Sequence, residues 1–268
     1  MLRRRPLPLR ARPRPFMESQ KLNPTISQNT VAEFVKENIP DFHRARLDSI
    51  RSVSLKKLLA RKNPYLLRAK GLETPATLVA AVLDSHLSSQ EETLLGTFLE
   101  GLAIHLCQIA NPRSRKCTTK GIDLEFESHG RLYLVAIKSG PNWGNSSQIR
   151  DMLKSFRDAE RIYKQSKGSL PVEFINGCCY GRTIVAREYK NGYRKVCGQR
   201  FWELITGDPE LYRTIIEPIG EDARTRNLKF RSEYEKVVQD FTDEFRGSFC
   251  ADGLIQWQAL AEFISAAK

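Results

Sequence analysis

Cysteine pairs, histidine pairs and long apolar runs are all missing from this sequence. None of the six cysteines (Cys107, Cys117, Cys178, Cys179, Cys197, Cys250) forms a CxxC, and no two of the four histidines form an HxxxH. A structural zinc site is thereby disfavoured, because its ligands come at such spacings. No uninterrupted apolar run approaches the ~18–20 residues of a membrane span, which argues against an integral membrane protein. A secretory apolar core is also missing, so the thiols are read as reduced and the protein as cytoplasmic. There is no internal repeat.

Acid is scarce relative to base. Forty-three Lys+Arg stand against 31 Asp+Glu, a net charge of +12. Such an excess favours a polyanionic partner, nucleic acid before anionic lipid. Residues 1–16 concentrate it, with six arginines, four prolines and no acid. The prolines forbid a helix, so the segment is expected to be a disordered or extended basic arm. It reads as an arm for phosphates, as translated sequence upstream of a start at Met17, or as an organelle presequence. Without it the charge excess is halved but keeps its sign. With 41% hydrophobic residues in a chain of 268, a buried core is expected, in one large domain or two small ones.

Residues 17–110 read as a helical region whose last helix packs on the core. Thr30–Asn38 is expected to be a short helix stopped before Pro40. Asp41–Lys62 carries Leu47, Ile50, Val53 and Leu58 at helical spacing, with Arg44, Arg46, Arg51, Lys56, Lys57 and Arg61 around it as a solvated face. Thr74 and Pro75 open a helix ending near His86. Ser88 with Glu91, or Ser89 with Glu92, then caps a long helix to about Ala110.

After the basic turn 111–120 the period changes. Ile122–Glu127 alternates, Ser128-His129-Gly130 turns, and Arg131–Lys138 is nearly all apolar, as a central strand should be. Asn145 and Gln148 cap a helix over Ser147–Gln165. Pro171–Tyr180 is a third strand and Thr183–Arg187 a fourth. Helices follow at about Gln199–Thr206, Pro209–Glu217, Lys229–Arg246 and Leu254–Ala267. Residues 111–220 thus form an α/β core, a mixed sheet flanked by helices, and residues 221–268 add C-terminal helices.

The chemistry lies in residues 121–148, GIDLEFESHGRLYLVAIKSGPNWGNSSQ. Asp123 stands at the start of one strand and Lys138 at the end of its neighbour, so antiparallel pairing brings them together. A carboxylate beside a lysine at a sheet edge, in a basic protein, suits divalent-metal binding and phosphodiester hydrolysis. The carboxylate holds Mg²⁺, and the lysine orients water or offsets phosphate charge. An acid followed by a distant lysine is a weak signal by itself. Asp41 with Lys56 and Lys57 is such a decoy, because that segment reads as helix.

The hairpin resembles the active-site hairpin of the PD-(D/E)xK nuclease superfamily. The run IKSGPNWGN after a GID strand, with a second block GQRFWELITGDPELY (198–212), resembles type II restriction endonucleases of the PmeII type. The similarity extends over about 30–220. It implies a restriction-endonuclease-like fold, Mg²⁺ as cofactor and double-stranded DNA as substrate, cut to a 5′-phosphate and 3′-hydroxyl. Cutting both strands of a palindrome calls for a homodimer, with helices before residue 110 or after 220 in its interface.

One position departs from that pattern. The slot two residues before Lys138 should hold an acid, and here it is Ala136. Two carboxylates are candidates to replace it as metal ligands beside Asp123. Glu100 is the first choice, as the one acid of Phe98–Ala110, on a face with Gly96, Ala103, Ile104 and Cys107. Glu125, two residues from Asp123 on the same strand face, is the second; a decayed site is the third. Glu127 reads as solvent-facing, and Cys178 and Cys179 as small strand residues. For DNA contact the candidates are Ser139, Asn142 and Asn145 in the loop, and Arg182, Arg187 and Arg200 in a basic stretch that also holds Lys190, Arg194 and Lys195. Asn142 and Asn145 read equally as turn and cap residues, and Trp143 as a core or a stacking residue. The reading is a Mg²⁺-dependent site-specific endonuclease. The alternatives are a non-catalytic DNA-binding protein on the same fold, or an RNA-processing nuclease.

Overall fold

A computed structural model describes residues 26–184, 189–221 and 223–267. Residues 1–16 and Arg187 lie outside the described residues. The first helix, α1 (Gln28–Ser52), opens with Ser27 accepting the Thr30 N–H and runs through Pro40 without ending. The expected break at Pro40 does not occur. Val31, Val35 and Ile39 before it and Ile50 after it are all buried, and that burial outweighs the one main-chain bond a proline forgoes. The expected helix to Lys62 instead divides into α1, α2 (Leu55–Leu59) and α3 (Pro64–Ala69). Ser54 and Asn63 cap the latter two.

Helix α4 (Pro75–Ala110) is a single rod of 36 residues, not two helices. Ser88 and Ser89 are exposed along it and start no new helix. Leu78, Val79, Val82, Leu83 and Leu87 enter a helical core, whereas Phe98, Leu102, Ala103, Leu106 and Cys107 enter the sheet core. Being anchored at both ends leaves no room for the expected break. By length and composition α4 would suffice to cross a membrane, contrary to the impression left by uninterrupted runs.

The sheet contains β1 (Arg115–Lys116), β2 (Leu124–Ser128), β3 (Arg131–Lys138), β4 (Val172–Cys178), β5 (Tyr189–Lys190) and β6 (Tyr193–Cys197) in the order β1-β2-β3-β4-β6-β5. The pairs β3–β4 and β4–β6 are parallel and the others antiparallel. His129 and Gly130, with φ of 48° and 68°, form the tight turn between β2 and β3. Helix α5 (Ser146–Gln165) crosses from β3 to β4. Its Met152, Phe156 and Ala159 cover the face of Leu132, Leu134 and Ala136. The opposite face, with Val135, Ile137, Ile175 and Val196, packs on α1, α4 and α6 (Gln199–Thr206).

No strand forms at Thr183 and Ile184, the described part of the expected fourth strand. The Thr183 hydroxyl instead accepts the Cys197 N–H at 2.7 Å and donates to the Cys197 carbonyl at 3.0 Å, at the end of β6, the strand that pairs with β4. Helices α7 (Leu211–Thr214), α8 (Ile216–Glu221) and α9 (Ala223–Phe249) follow. In place of a helix from Leu254, a hairpin of β7 (Cys250–Ala251) and β8 (Leu254–Ile255) turns at Asp252-Gly253 before α10 (Trp257–Ser265).

Three of the arginines read as a solvated face of α1 have different fates. Arg46 bonds Glu91 and Asn227 and lies 3.5 Å from the Phe230 ring centroid, joining α1, α4 and α9. Arg51 pairs with Glu233 at 2.9 Å. Arg44 stays exposed and pairs with Asp41 one turn away at 3.0 Å.

Candidate active site

Three elements converge at the end of β3. Asp123 precedes β2 and extends its ladder, its N–H donating to the Val135 carbonyl at 2.9 Å. Its carboxylate turns toward β3, where Oδ2 accepts the Ile137 N–H at 2.6 Å and lies 4.0 Å from Lys138 Nζ. Asp123 and Lys138 therefore meet on one side, at the place where β3 stops. A main-chain donor thus fixes that carboxylate oxygen in place.

The third element is α4. A methyl added at Gly96 would meet Ser139 Cβ at 3.4 Å, so the helix passes against the residue after Lys138. Glu100, one turn on, is half-buried. Burial pushes its carboxyl above the usual value, the nearby Asp123 charge adds to the rise, and Lys116 and Lys138 oppose it. No hydrogen bond to the Glu100 carboxylate is found among the described residues. Beneath, the Cys179 thiol is pushed up to about 12 by burial first and by Glu100 and Asp123 next. The arrangement brings together Asp123, Lys138 and Glu100, with Lys116 adding positive charge. Glu125 is held instead by Arg115, its register partner on β1, and Glu127 lies 3.6 Å from Arg113.

Ala136 is fully buried under α5. Across the sheet Ala136, Asn176 and Lys195 are register partners on β3, β4 and β6, so their side chains leave the same face. The loop after Lys138 folds over this row. Asn176 accepts the Trp143 indole N–H at 2.9 Å and donates to the Ala136 carbonyl at 3.3 Å, while Lys195 donates to the Pro141 carbonyl at 2.5 Å. The Trp143 ring then lies 5.2 Å from Lys138 Nζ. Asn176 is not among the site residues expected from the sequence, and Lys195 is expected only as part of the basic stretch for DNA contact, whereas here it ties down the loop. The available signal was an amide in an otherwise apolar strand, which must find a partner if buried.

The expected DNA contacts separate by exposure and partner. Asn142, Arg182 and Arg200 are exposed, Ser139 is half-buried, and Asn145 caps α5 in a reciprocal bond with Gln148. Arg194 is buried and lies 3.4 Å from Glu173, so it serves the sheet. Among the described residues no group of three or more His, Cys, Asp or Glu is arranged to hold a metal, so any cation here draws on the two carboxylates Asp123 and Glu100.

A mixed sheet flanked by helices, carrying this acid–lysine pair at a strand end, is a restriction-endonuclease-like α/β core. The family model for type II restriction endonuclease EcoO109I matches residues 29–227. The chain belongs to that family. No curated protein matches it.

Proposed function

We propose that this protein is a Mg²⁺-dependent type II restriction endonuclease of the PD-(D/E)xK kind that hydrolyses double-stranded DNA at a specific site. The observation that supports this reading best is the 4.0 Å approach of Asp123 Oδ2 to Lys138 Nζ, with Glu100 delivered beside them by α4. Two hard-oxygen carboxylates crowded together, one already harder to ionise, fit a divalent cation better than they fit each other. Asp123 and Glu100 would hold it, and bound Mg²⁺ supplies acidification of water and neutralisation of phosphate charge.

The remaining steps belong to the chain's own groups. Ile137 N–H fixes the Asp123 carboxylate, and Lys138 places a cation where charge builds on the phosphorus oxygens. In-line attack leaves a 5′-phosphate and a 3′-hydroxyl. Glu100 takes the role of the acid missing at Ala136. A homodimer presents two such sites to a palindrome.

Plasmid cleavage in Mg²⁺ by the wild type, lost on the order of 10²–10³-fold in Lys138→Ala, is the expected result. Equal cleavage by both proteins, or none by either with any divalent metal, overturns it. Buried Ala136 favours one second reading, a DNA-binding protein with a decayed site. Tight duplex binding indifferent to Mg²⁺, without nicking, would select it.

A further inference from the structure

The main chain at Lys138 is held tightly, and its side chain is not. Lys138 pairs with Cys178 on β4, and the Cys179 and Tyr180 N–H groups donate to the Lys138 and Ser139 carbonyls at 2.9 and 3.1 Å. A lysine's flexible four-carbon stem still leaves the ammonium many positions when its backbone is fixed. Nζ lies 4.0 Å from Asp123 Oδ2 and 5.2 Å from the centroid of the Trp143 ring, within the range in which a ring face attracts a cation. Asp123 alone is a poor anchor, because the same carboxylate is the proposed ligand of a divalent cation, which repels an ammonium. The indole face competes for no metal.

Residues far along the chain set the place of that ring. Its indole N–H donates to Asn176 at 2.9 Å, and Asn176 donates to the carbonyl of Ala136, two residues before Lys138, at 3.3 Å. Lys195 donates to the carbonyl of Pro141, two residues before Trp143, at 2.5 Å. The ring also packs against the apolar cluster of β3 and α5. The loop is thus tied to β4 and to β6, and the ring it carries is fixed beside Lys138. We propose that Trp143 is a positioning residue for the cleavage reaction: held by Asn176 and the Lys195 tether, its ring keeps the Lys138 ammonium beside Asp123. The proposal rests on the DNA-cleaving reading of the active site.

Two double-mutant cycles test it, the first without metal or DNA. Denaturant midpoints in chelator are compared for wild type, Trp143→Leu, Lys138→Ala and the double variant. Leucine keeps an apolar side chain in the slot and removes the ring face. The double variant should fall less than the two single losses combined, because the second change removes a contact already gone. Strict additivity overturns the contact on which the proposal stands.

The second cycle is kinetic. Plasmid cleavage in Mg²⁺ is followed at saturating protein, where the rate reports chemistry, and the half-saturating protein concentration reports binding. Trp143→Leu should slow the maximal rate about tenfold with half-saturation unchanged, and should cost nothing further in Lys138→Ala. Trp143→Phe, which keeps a ring without the indole N–H, should lose about threefold. Its own cycle with Lys138→Ala stands alone if the leucine variant does not fold. An equal further loss in Lys138→Ala means that Trp143 does not act through the lysine. Weaker half-saturation at an unchanged maximal rate means that it stacks on DNA. Either result overturns the positioning role and leaves cleavage intact. A wild type that cleaves no DNA with any divalent metal overturns the active-site reading and the role of Trp143 together.

Discussion

Asn176 joins Trp143 to the strand that carries Lys138. Its side-chain amide accepts the indole N–H at 2.9 Å and donates to the Ala136 carbonyl at 3.3 Å. Asn176 is buried, so neither bond has a water substitute at hand. Asn176→Ala should cost about 1–3 kcal/mol by leaving the indole donor unsatisfied. Denaturant unfolding measures the loss, and an unchanged midpoint would show that the bond contributes nothing to the loop.

Glu100 is crowded by burial and by Asp123. Replacing it with a neutral isostere removes both penalties in the metal-free protein. Glu100→Gln should therefore melt no lower than wild type in chelator, and should cleave on the order of 10²-fold more slowly in Mg²⁺. A lower melting temperature without metal would mean that the Glu100 charge stabilises the fold, against the stated electrostatics.

Gly198 opens α6 with φ of 55°, and a side chain there would stand 2.2 Å from the Gly181 carbonyl oxygen. The obstacle is main chain, which cannot swing aside. Gly198→Ala should lose at least about 1–3 kcal/mol. Thermal melting of the variant at neutral pH reads the effect, and a wild-type melting temperature would contradict it.

His86 lies on α4, where burial chiefly, then Lys62 and Arg61, push its pKa below the ordinary 6.5. The unfolded chain binds the proton more readily, so this group's contribution is present above pH 6.5 and is lost as pH falls through the lowered value. Stability should decline on acidification below about 6.5, and His86→Gln should reduce that part of the decline. Melting curves at a series of pH values decide it, and an identical pH profile for the variant would refute it.

Local signals in the chain were legible where they did not compete with packing. Arg131–Lys138 is readable to the residue, because a nearly unbroken apolar run is bounded by the His129-Gly130 turn before it and by Ser139-Gly140-Pro141 after it. Gln199–Thr206 was readable between Gly198 and the left-handed Gly207, and Asn145 with Gln148 announced α5. The Asp252-Gly253 turn is equally explicit, but the apolar residues from Leu254 on also suit a helix, and only the pairing of Leu254–Ile255 with Cys250–Ala251 makes them a strand.

From sequence alone came the helical and α/β regions, the acid and the lysine on paired strands, and the vacancy at Ala136, since these follow from period and pairing between near neighbours. Tertiary structure decided the rest. Pro40 and Ser88 interrupt nothing, because α1 and α4 are each buried at two ends. Arg46 and Lys195 left the basic surface for partners 45 and 54 residues away. Glu100 joined Asp123 only because α4 passes over the end of β3, a relation between distant segments that no local pattern encodes.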